Sequence, residues 1–183
     1  LGDVYKRQSL ENAVQMEYKA LTDDMTGAYN KNRLIELLNN RERDGQDIAV
    51  IYWDVNQLKY VNDNWGHLCG DRLITEVAKT IQSIAREEDI VIRYGGDEFL
   101  LYVANGTKEI AEQLIEAWKV RLEEEKKREN YEFPVSASVG YALGKHSQLK
   151  DIIVAADKDM YANKRIRRES ANQRDSKKGV NES

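Results

Sequence analysis

Apolar residues recur along this chain with two different periods, and the change of period predicts alternating strands and helices. Residues 48–53 form a continuous apolar run that stops at Asp54, as expected for a strand covered on both faces. Residues 90–92 and 99–103 are rich in β-branched and aromatic side chains and lie on either side of a glycine pair. They predict a hairpin whose two-residue glycine turn requires positive φ. Two-residue alternation over residues 135–141 predicts a fourth strand.

Apolar residues three and four positions apart predict amphipathic helices between these strands. The helices are expected over residues 73–85, 110–122 and 149–160. A further helix is predicted over residues 9–22, and its apolar stripe is typical of a packing or coiled-coil seam. The stripe consists of Leu10, Val14, Tyr18 and Leu21.

Both ends of the chain are expected to lie outside the folded domain. Residues 3–8 read like the translation of a transposon adapter used in sequencing libraries, so residues 1–8 are interpreted as non-native and upstream sequence as lost. Residues 170–183 are polar and without apolar periodicity, which predicts a disordered tail. One domain remains, over residues 23–169, and its length suits a single core.

The order strand, helix, hairpin, helix, strand is that of a split βαβ unit. It predicts an α+β fold of the ferredoxin-like type, with a mostly antiparallel sheet and flanking helices. A right-handed crossover makes the first two strands parallel and leaves the third antiparallel between them. The end of the first strand at Asp54 then falls at the same edge of the sheet as the hairpin turn at Asp97.

Composition limits the classes of partner. The 183 residues carry 28 Lys and Arg against 32 Asp and Glu, a formal net charge of -4, so the chain has no general attraction for nucleic acid or an anionic membrane. Any phosphate binding must be local. The single cysteine, Cys69, excludes an internal disulfide and a cysteine metal cage. No apolar run approaches the ~20 residues that span a bilayer, so we expect a cytoplasmic fragment without membrane contact.

Candidate chemistry is concentrated at residues 93–99, where two glycines precede two carboxylates. Glycines lack Cβ and let a phosphate approach the backbone closely. Asp54 and Asp97, converging with the carbonyl of Val55, would offer the hard oxygen ligands that Mg²⁺ prefers. Taken alone, the stretch is equally compatible with a solvated acidic turn.

Several separated motifs follow one another along the chain. They are residues 23–27 with Asn30, residues 54–59, Asn62 with Asp63, Gly66 and His67 with Gly70 and Asp71, residues 95–99, and residues 157–164. With these motifs the chain resembles the catalytic domain of the GGDEF diguanylate cyclases, which condense two GTP molecules into cyclic di-GMP. The resemblance covers about residues 20–169 and implies a nucleotide-cyclase-like fold.

The resemblance implies a catalytic group of Asp54, Asp97 and Glu98. Asp54 and Asp97 would hold two Mg²⁺ or Mn²⁺ ions per half-site together with the Val55 carbonyl, and Glu98 would assist metal binding or deprotonate the attacking ribose 3′-hydroxyl. Two divalent ions would activate that hydroxyl and neutralise charge as it attacks the α-phosphorus and expels pyrophosphate.

The resemblance also implies the substrate contacts. Asn62 and Asp71 match the positions that read guanine, because an amide beside a carboxylate can satisfy its acceptor and its donors. The remaining substrate positions are Lys59, Arg93, Gly95, Gly96, Lys164 and Arg168. The chain departs from the family pattern at Asn56, which replaces a second aspartate, and at Arg167, where a glycine is common.

Arg86 and Asp89 reproduce the family's product-inhibition motif, at the opposite end of the sheet from the hairpin turn. Inhibition by cyclic di-GMP at that site would require coupling through the domain or its dimer partner. The alternative is an exposed helix end whose charges are simply solvated.

One domain binds one GTP in this family, so the resemblance implies a homodimer in which two sites face each other. The helix at residues 9–22 would pair with its copy and transmit an upstream signal. Two alternatives are a catalytically silent module that binds GTP or cyclic di-GMP and a purely structural dimerisation domain. The retained carboxylates and Lys59 argue against the first, and Asn62 with Asp71 argues against the second.

Overall fold

The computed structural model describes the backbone of residues 2–178, and the side chains of that span except residues 2–5, 13, 14, 17, 167, 168 and 170–178. The described chain contains the four predicted strands, with helices before, between and after them. In order they are α1 (Gly2–Leu21), α2 (Lys31–Asn39), β1 (Asp47–Val55), α3 (Leu58–Trp65), α4 (His67–Ile84), β2 (Ile90–Arg93), β3 (Glu98–Ala104), α5 (Lys108–Glu129), β4 (Ala137–Lys145) and α6 (Leu149–Lys178).

The four strands form one sheet in the order β2-β3-β1-β4. Every neighbouring pair is antiparallel, so β1 and β2 run parallel with β3 between them. This is the ferredoxin-like split βαβ arrangement predicted from the order of elements, and the fold prediction is confirmed.

Helices cover both faces of the sheet and divide its core in two. Trp53 lies on the face covered by α4 and α5, where its ring meets that of Trp118 edge-on at 5.7 Å. Tyr52 lies on the opposite face, in the cluster to which α2 and α6 contribute. Because strand side chains alternate between faces, Asp54 projects on the same face as Tyr52.

Several predicted boundaries differ from the observed ones. The helix expected over residues 73–85 is α4, which begins earlier, at His67. The helix α3 before it was not predicted, and Gly66 separates the two at a φ of 87° that favours glycine. The strand β4 begins three residues after Pro134, at Ala137, and extends to Lys145. The helix α2 was not predicted.

The chain ends also differ from their predictions. The helix α1 begins at Gly2 and therefore includes residues 2–8, whose adapter origin stays a prediction. The helix α6 continues to Lys178, so residues 170–178 are helical where a disordered tail was predicted. Several residues in that stretch favour helix, which a pattern of apolar periodicity does not detect. Residues 179–183 lie outside the described residues.

The connection between β2 and β3 is not the predicted two-residue turn. The signature loop, as we call residues 94–97, is longer, and the amide of Tyr94 donates to the carbonyl of Glu98 at 2.8 Å. Among the described glycines only Gly27 and Gly66 have positive φ, so Gly95 and Gly96 are not required by backbone conformation. Over the described part of the chain, no helix combines the length and apolar character needed to cross a membrane.

Candidate active site

Three carboxylates meet where β1 ends and β3 begins, as the topology predicts. We call this end of the two central strands the site edge of the sheet. Asp54 stands opposite Glu98 in the pairing of β1 with β3. The amide of Val55 donates to the carbonyl of Asp97 at 2.8 Å, which ties the signature loop to the end of β1. We call Asp54, Asp97 and Glu98 the carboxylate cluster.

The cluster is electrostatically crowded. Burial is the main reason that the pKa of Asp97 is raised, and the nearby Asp54 and Glu98 charges raise it further. The ammonium group of Lys164, on α6, forms an ion pair with Asp54 and lowers the pKa of Asp97 in part. The cluster is therefore an anionic site that attracts cations.

The donor chemistry of this edge fits a divalent cation. Among the described residues, no three His, Cys, Asp or Glu side chains form a ready metal cage. Mg²⁺ commonly takes only one or two protein carboxylates and completes its octahedron with water and substrate phosphate. Asp54, Asp97 and Glu98 therefore suit an ion that arrives with a nucleotide.

Glu98 is held from two sides. One of its oxygens, Oε1, accepts a hydrogen bond of 2.6 Å from the hydroxyl of Tyr52. The other, Oε2, lies so close to Gly95 that a Cβ there would overlap it. Gly95 is thus needed for the packing of Glu98 and not for a turn of positive φ. By contrast, a Cβ on Gly96 would meet open space.

The apolar pattern of β1 predicts Tyr52 only as a buried strand residue and does not indicate its contact with Glu98. The position of Tyr52 two residues before Asp54 is a usable signal, because it places the hydroxyl on the face that carries the carboxylates.

Arg93, at the end of β2, joins Asp23 to the signature loop. Its Nη1 donates to both oxygens of Asp23 at 3.0 and 3.1 Å, and its Nη2 donates to the carbonyl of Gly96 at 2.8 Å. Burial acts to raise the pKa of Asp23, but hydrogen bonds from Thr26 and Arg93 outweigh it and lower that pKa. Asp23 belongs to the first family motif, yet its role as the partner of Arg93 was not predicted.

The predicted guanine residues flank the break between α3 and α4. Asn62 is half-buried on α3, and Asp71 is exposed in the first turns of α4. The Asn62 amide packs against Gly70, where a Cβ would overlap its Oδ1. Lys59 lies three residues before Asn62 on α3 and is exposed. These side chains are available to a ligand that approaches the junction.

Two residues of α6, Lys164 and Arg168, are predicted to bind substrate. Lys164 reaches the carboxylate cluster through its ion pair with Asp54. Arg168 lies on α6, and its side chain is outside the described residues.

Asn56 links the end of β1 to the chain around β4. Its Nδ2 donates to the hydroxyl oxygen of Ser136 at 3.3 Å, and its Oδ1 accepts from the hydroxyl of Ser138 at 2.9 Å. An amide can both donate and accept, whereas the aspartate it replaces only accepts when ionised.

Arg86 and Asp89 form a closed pair at the far end of the sheet. Two hydrogen bonds of 2.8 and 2.9 Å join the guanidinium to the carboxylate, and the Asp89 side chain is fully buried. Arg86 also donates to the carbonyl of Ala104, the last residue of β3, whereas Glu98 is the first. At about 3.3 Å per residue along β3, this pair lies roughly 20 Å from the carboxylate cluster. The alternative of simply solvated charges is wrong for Asp89.

Comparison with known proteins agrees with this geometry. Residues 20–170 match the family model described as diguanylate cyclase, GGDEF domain. A protein of Escherichia coli K12 named a probable diguanylate cyclase, DgcJ, is 34% identical over 165 residues, 88% of this chain and 31% of the relative. A Shewanella oneidensis protein named cyclic di-GMP phosphodiesterase PdeB is 31% identical over 149 residues, 79% of this chain and 17% of the relative. The chain thus spans about a third or less of the length of these curated relatives.

A solved structure superposes on this chain over most of its length. The coiled coil and GGDEF domain of DgcB from Caulobacter crescentus, in complex with c-di-GMP, superposes with a TM-score of 0.74 and 26% identity, covering 90% of this chain and 91% of that one. With the family model matching most of the sequence, this chain belongs to the GGDEF-domain family of diguanylate cyclases.

Proposed function

We propose that this chain forms cyclic di-GMP from two GTP molecules and releases two pyrophosphates. The observation that carries the proposal is the carboxylate cluster at one sheet edge, in a chain that also presents Asn62 and Asp71 at the α3/α4 junction. A structural domain has no need of that combination.

In the proposed mechanism the carboxylate cluster and the Val55 carbonyl would hold two Mg²⁺ or Mn²⁺ ions in each half-site. When bound, such ions activate a hydroxyl and offset charge on a phosphoryl group. Lys59 and Lys164 add positive charge for the triphosphate. Asn62 and Asp71 hydrogen-bond to guanine and exclude adenine, because the exocyclic amine of adenine reverses the donor pattern.

The proposed reaction takes place between two GTP molecules, one bound to each chain of a pair. The 3′-oxygen of one GTP bonds to the α-phosphorus of the other as the bond to pyrophosphate breaks, and the hydroxyl proton leaves to Glu98 or solvent. A second, reciprocal transfer closes the ring. Each chain contributes one GTP, so we propose a homodimer as the active form and a cytoplasmic location where GTP is available.

Product inhibition at Arg86 and Asp89 is part of the proposal. The pair is closed, so cyclic di-GMP would have to compete with the Asp89 carboxylate for the guanidinium. The distance from the carboxylate cluster means that inhibition there would act indirectly.

A direct assay tests this function. The full chain is incubated with Mg²⁺ and either GTP or ATP, and the products are separated and identified by mass spectrometry. We expect cyclic di-GMP from GTP and no cyclic product from ATP. EDTA should abolish the product. Failure to form cyclic di-GMP at high protein concentration would overturn the proposal.

The second candidate function is a silent module that binds GTP or cyclic di-GMP. It is favoured by one observation, the match to a relative that is named a phosphodiesterase. Equilibrium dialysis with both nucleotides distinguishes it, since a silent module binds without turnover.

A further inference from the structure

The carboxylate of Glu98 is oriented by a residue from the neighbouring strand. We propose that Tyr52 is a positioning residue that fixes Glu98 for divalent-cation binding, an inference that rests on the proposed function.

The sheet register explains how the two side chains meet. Tyr52 pairs with Leu100 and Asp54 pairs with Glu98, so Tyr52 and Glu98 are diagonal neighbours on one face. Diagonal neighbours are within reach of long side chains. The 2.6 Å separation of the Tyr52 hydroxyl and Glu98 Oε1 lies in the range of hydrogen bonds to ionised carboxylates.

Tyr52 is itself immobilised, which makes it suitable for this role. Tyr52 is only 2% exposed, and its ring packs edge-on against the ring of Tyr94, with the ring centroids 5.9 Å apart. A tyrosine hydroxyl carries its proton at neutral pH and an ionised carboxylate only accepts, so Tyr52 is the donor in this hydrogen bond. The ring has already lost its freedom on folding, and orienting Glu98 costs it little further entropy.

Gly95 completes the restraint on Glu98 from the other side. Because Oε2 packs against Gly95 and Oε1 is bonded to Tyr52, both oxygens have defined positions. The terminal torsion of a glutamate is otherwise broad. Removing the hydroxyl would let the carboxylate rotate away from the edge that Asp54 and Asp97 share.

Hydrogen bonds that orient metal-binding carboxylates are commonly worth about 10- to 100-fold in metal affinity or activity. Tyr52→Phe keeps the ring and removes only the donor. We therefore expect it to raise the Mn²⁺ dissociation constant about tenfold or more.

The experiment measures Mn²⁺ binding by electron paramagnetic resonance on the full chain, in the presence of a non-hydrolysable α,β-methylene GTP analogue. The matched control is Tyr102→Phe. Tyr102 is equally buried on the same face, but its hydroxyl bonds to His146 at 2.9 Å and not to the carboxylate cluster. That variant should lose stability without losing Mn²⁺ affinity.

A double-mutant cycle separates positioning from a general structural effect. In a Glu98→Ala background, adding Tyr52→Phe should change Mn²⁺ affinity little, because the group it positions is gone. Unchanged Mn²⁺ affinity in folded Tyr52→Phe, or an undiminished effect in the Glu98→Ala background, would overturn the inference.

Two further outcomes are also decisive. If Tyr52→Phe does not fold, Gly95→Ala supplies the test. The new Cβ displaces the other oxygen of Glu98, so this variant must also bind Mn²⁺ more weakly than wild type. Wild-type Mn²⁺ affinity in Gly95→Ala overturns the inference. If the wild-type chain binds no Mn²⁺ with the analogue, the proposed function fails first, and the two failures are thereby distinguished.

Discussion

At the scale of single residues, two glycines of the family motifs are required by what packs against them. Gly70 leaves room for the Asn62 amide, and Gly95 leaves room for Glu98. Neither has positive φ. Each glycine is needed only to make room for one side chain of the site. Substituting either glycine should therefore affect ligand binding more than folding.

Gly70→Ala tests this at the guanine site. Alanine in the interior of a helix normally stabilises it by up to about 1 kcal/mol relative to glycine, but here the new Cβ displaces Asn62. We expect KM for GTP to rise several-fold with little change in kcat, measured by steady-state turnover. Gly45→Ala is the control, since a Cβ at Gly45 meets open space and should leave KM unchanged.

Asp97→Asn should separate stability from function. Burial and the Asp54 charge raise the pKa of Asp97, so ionising it at neutral pH costs folding free energy. Without divalent ions, the variant should melt a few degrees higher than wild type at pH 7 and lose cyclic di-GMP synthesis. Near pH 3, where the wild-type carboxyl is protonated too, the thermal difference should vanish. A lower melting temperature at pH 7 would contradict this account.

At the scale of elements, short polar contacts fix how strands end. Asp23 and Arg93 join the segment before α2 to the signature loop, while Arg86 and Asp89 join the start of β2 to the end of β3. The second pair is the one assigned to product inhibition, so it has two roles to separate.

Arg86→Ala should therefore lower stability as well as alter inhibition. It leaves the fully buried Asp89 carboxylate without its cation, and breaking a buried pair costs about 3–5 kcal/mol, or somewhat less here because Arg86 is partly exposed. Urea unfolding measures the loss. Glu88→Ala removes a half-exposed charge beside the same arginine and should stay within about 0.5 kcal/mol of wild type. An equally small loss in Arg86→Ala would show that the pair opens freely.

At the scale of the whole molecule, the proposed reaction needs two chains. Two residues of the apolar stripe on α1 are exposed in the single chain, Leu10 at 68% and Tyr18 at 59%, and Leu21 is half-buried. Val14 has a side chain outside the described residues. The carbonyl of Ala20, near the end of α1, is bonded by Asn30 and Asn32, which joins the helix to the domain.

Deleting residues 1–19 tests the stripe as a dimer seam while keeping Ala20. We expect turnover per chain to fall at low protein concentration and to recover at high concentration, because association becomes limiting. Binding of one GTP analogue per domain, measured by calorimetry, should be unchanged. Turnover independent of concentration in both the full and the shortened chain would argue against a dimeric active form.

How far the sequence predicts this protein depends on the range of the interaction. The apolar runs predicted all four strands, and the crossover rule correctly brought Asp54 beside Asp97. The helices α2 and α3 were not predicted, and α4 begins before the predicted residue 73, directly after the positive-φ break at Gly66. Polar pairings were least accessible, since Tyr52 and Glu98 lie 46 residues apart and Asp23 and Arg93 lie 70 apart.

The sequence alone was enough to predict the four strands, the family and the edge at which Asp54 and Asp97 meet, because periodicity and chirality act on every residue of the pattern. The partner that each polar side chain binds became evident only in the folded chain. Arg93 forms an ion pair with Asp23 and Lys164 forms one with Asp54, while Tyr52 donates a hydrogen bond to Glu98. Those choices depend on diagonal neighbours and local burial, which exist only once the strands have paired.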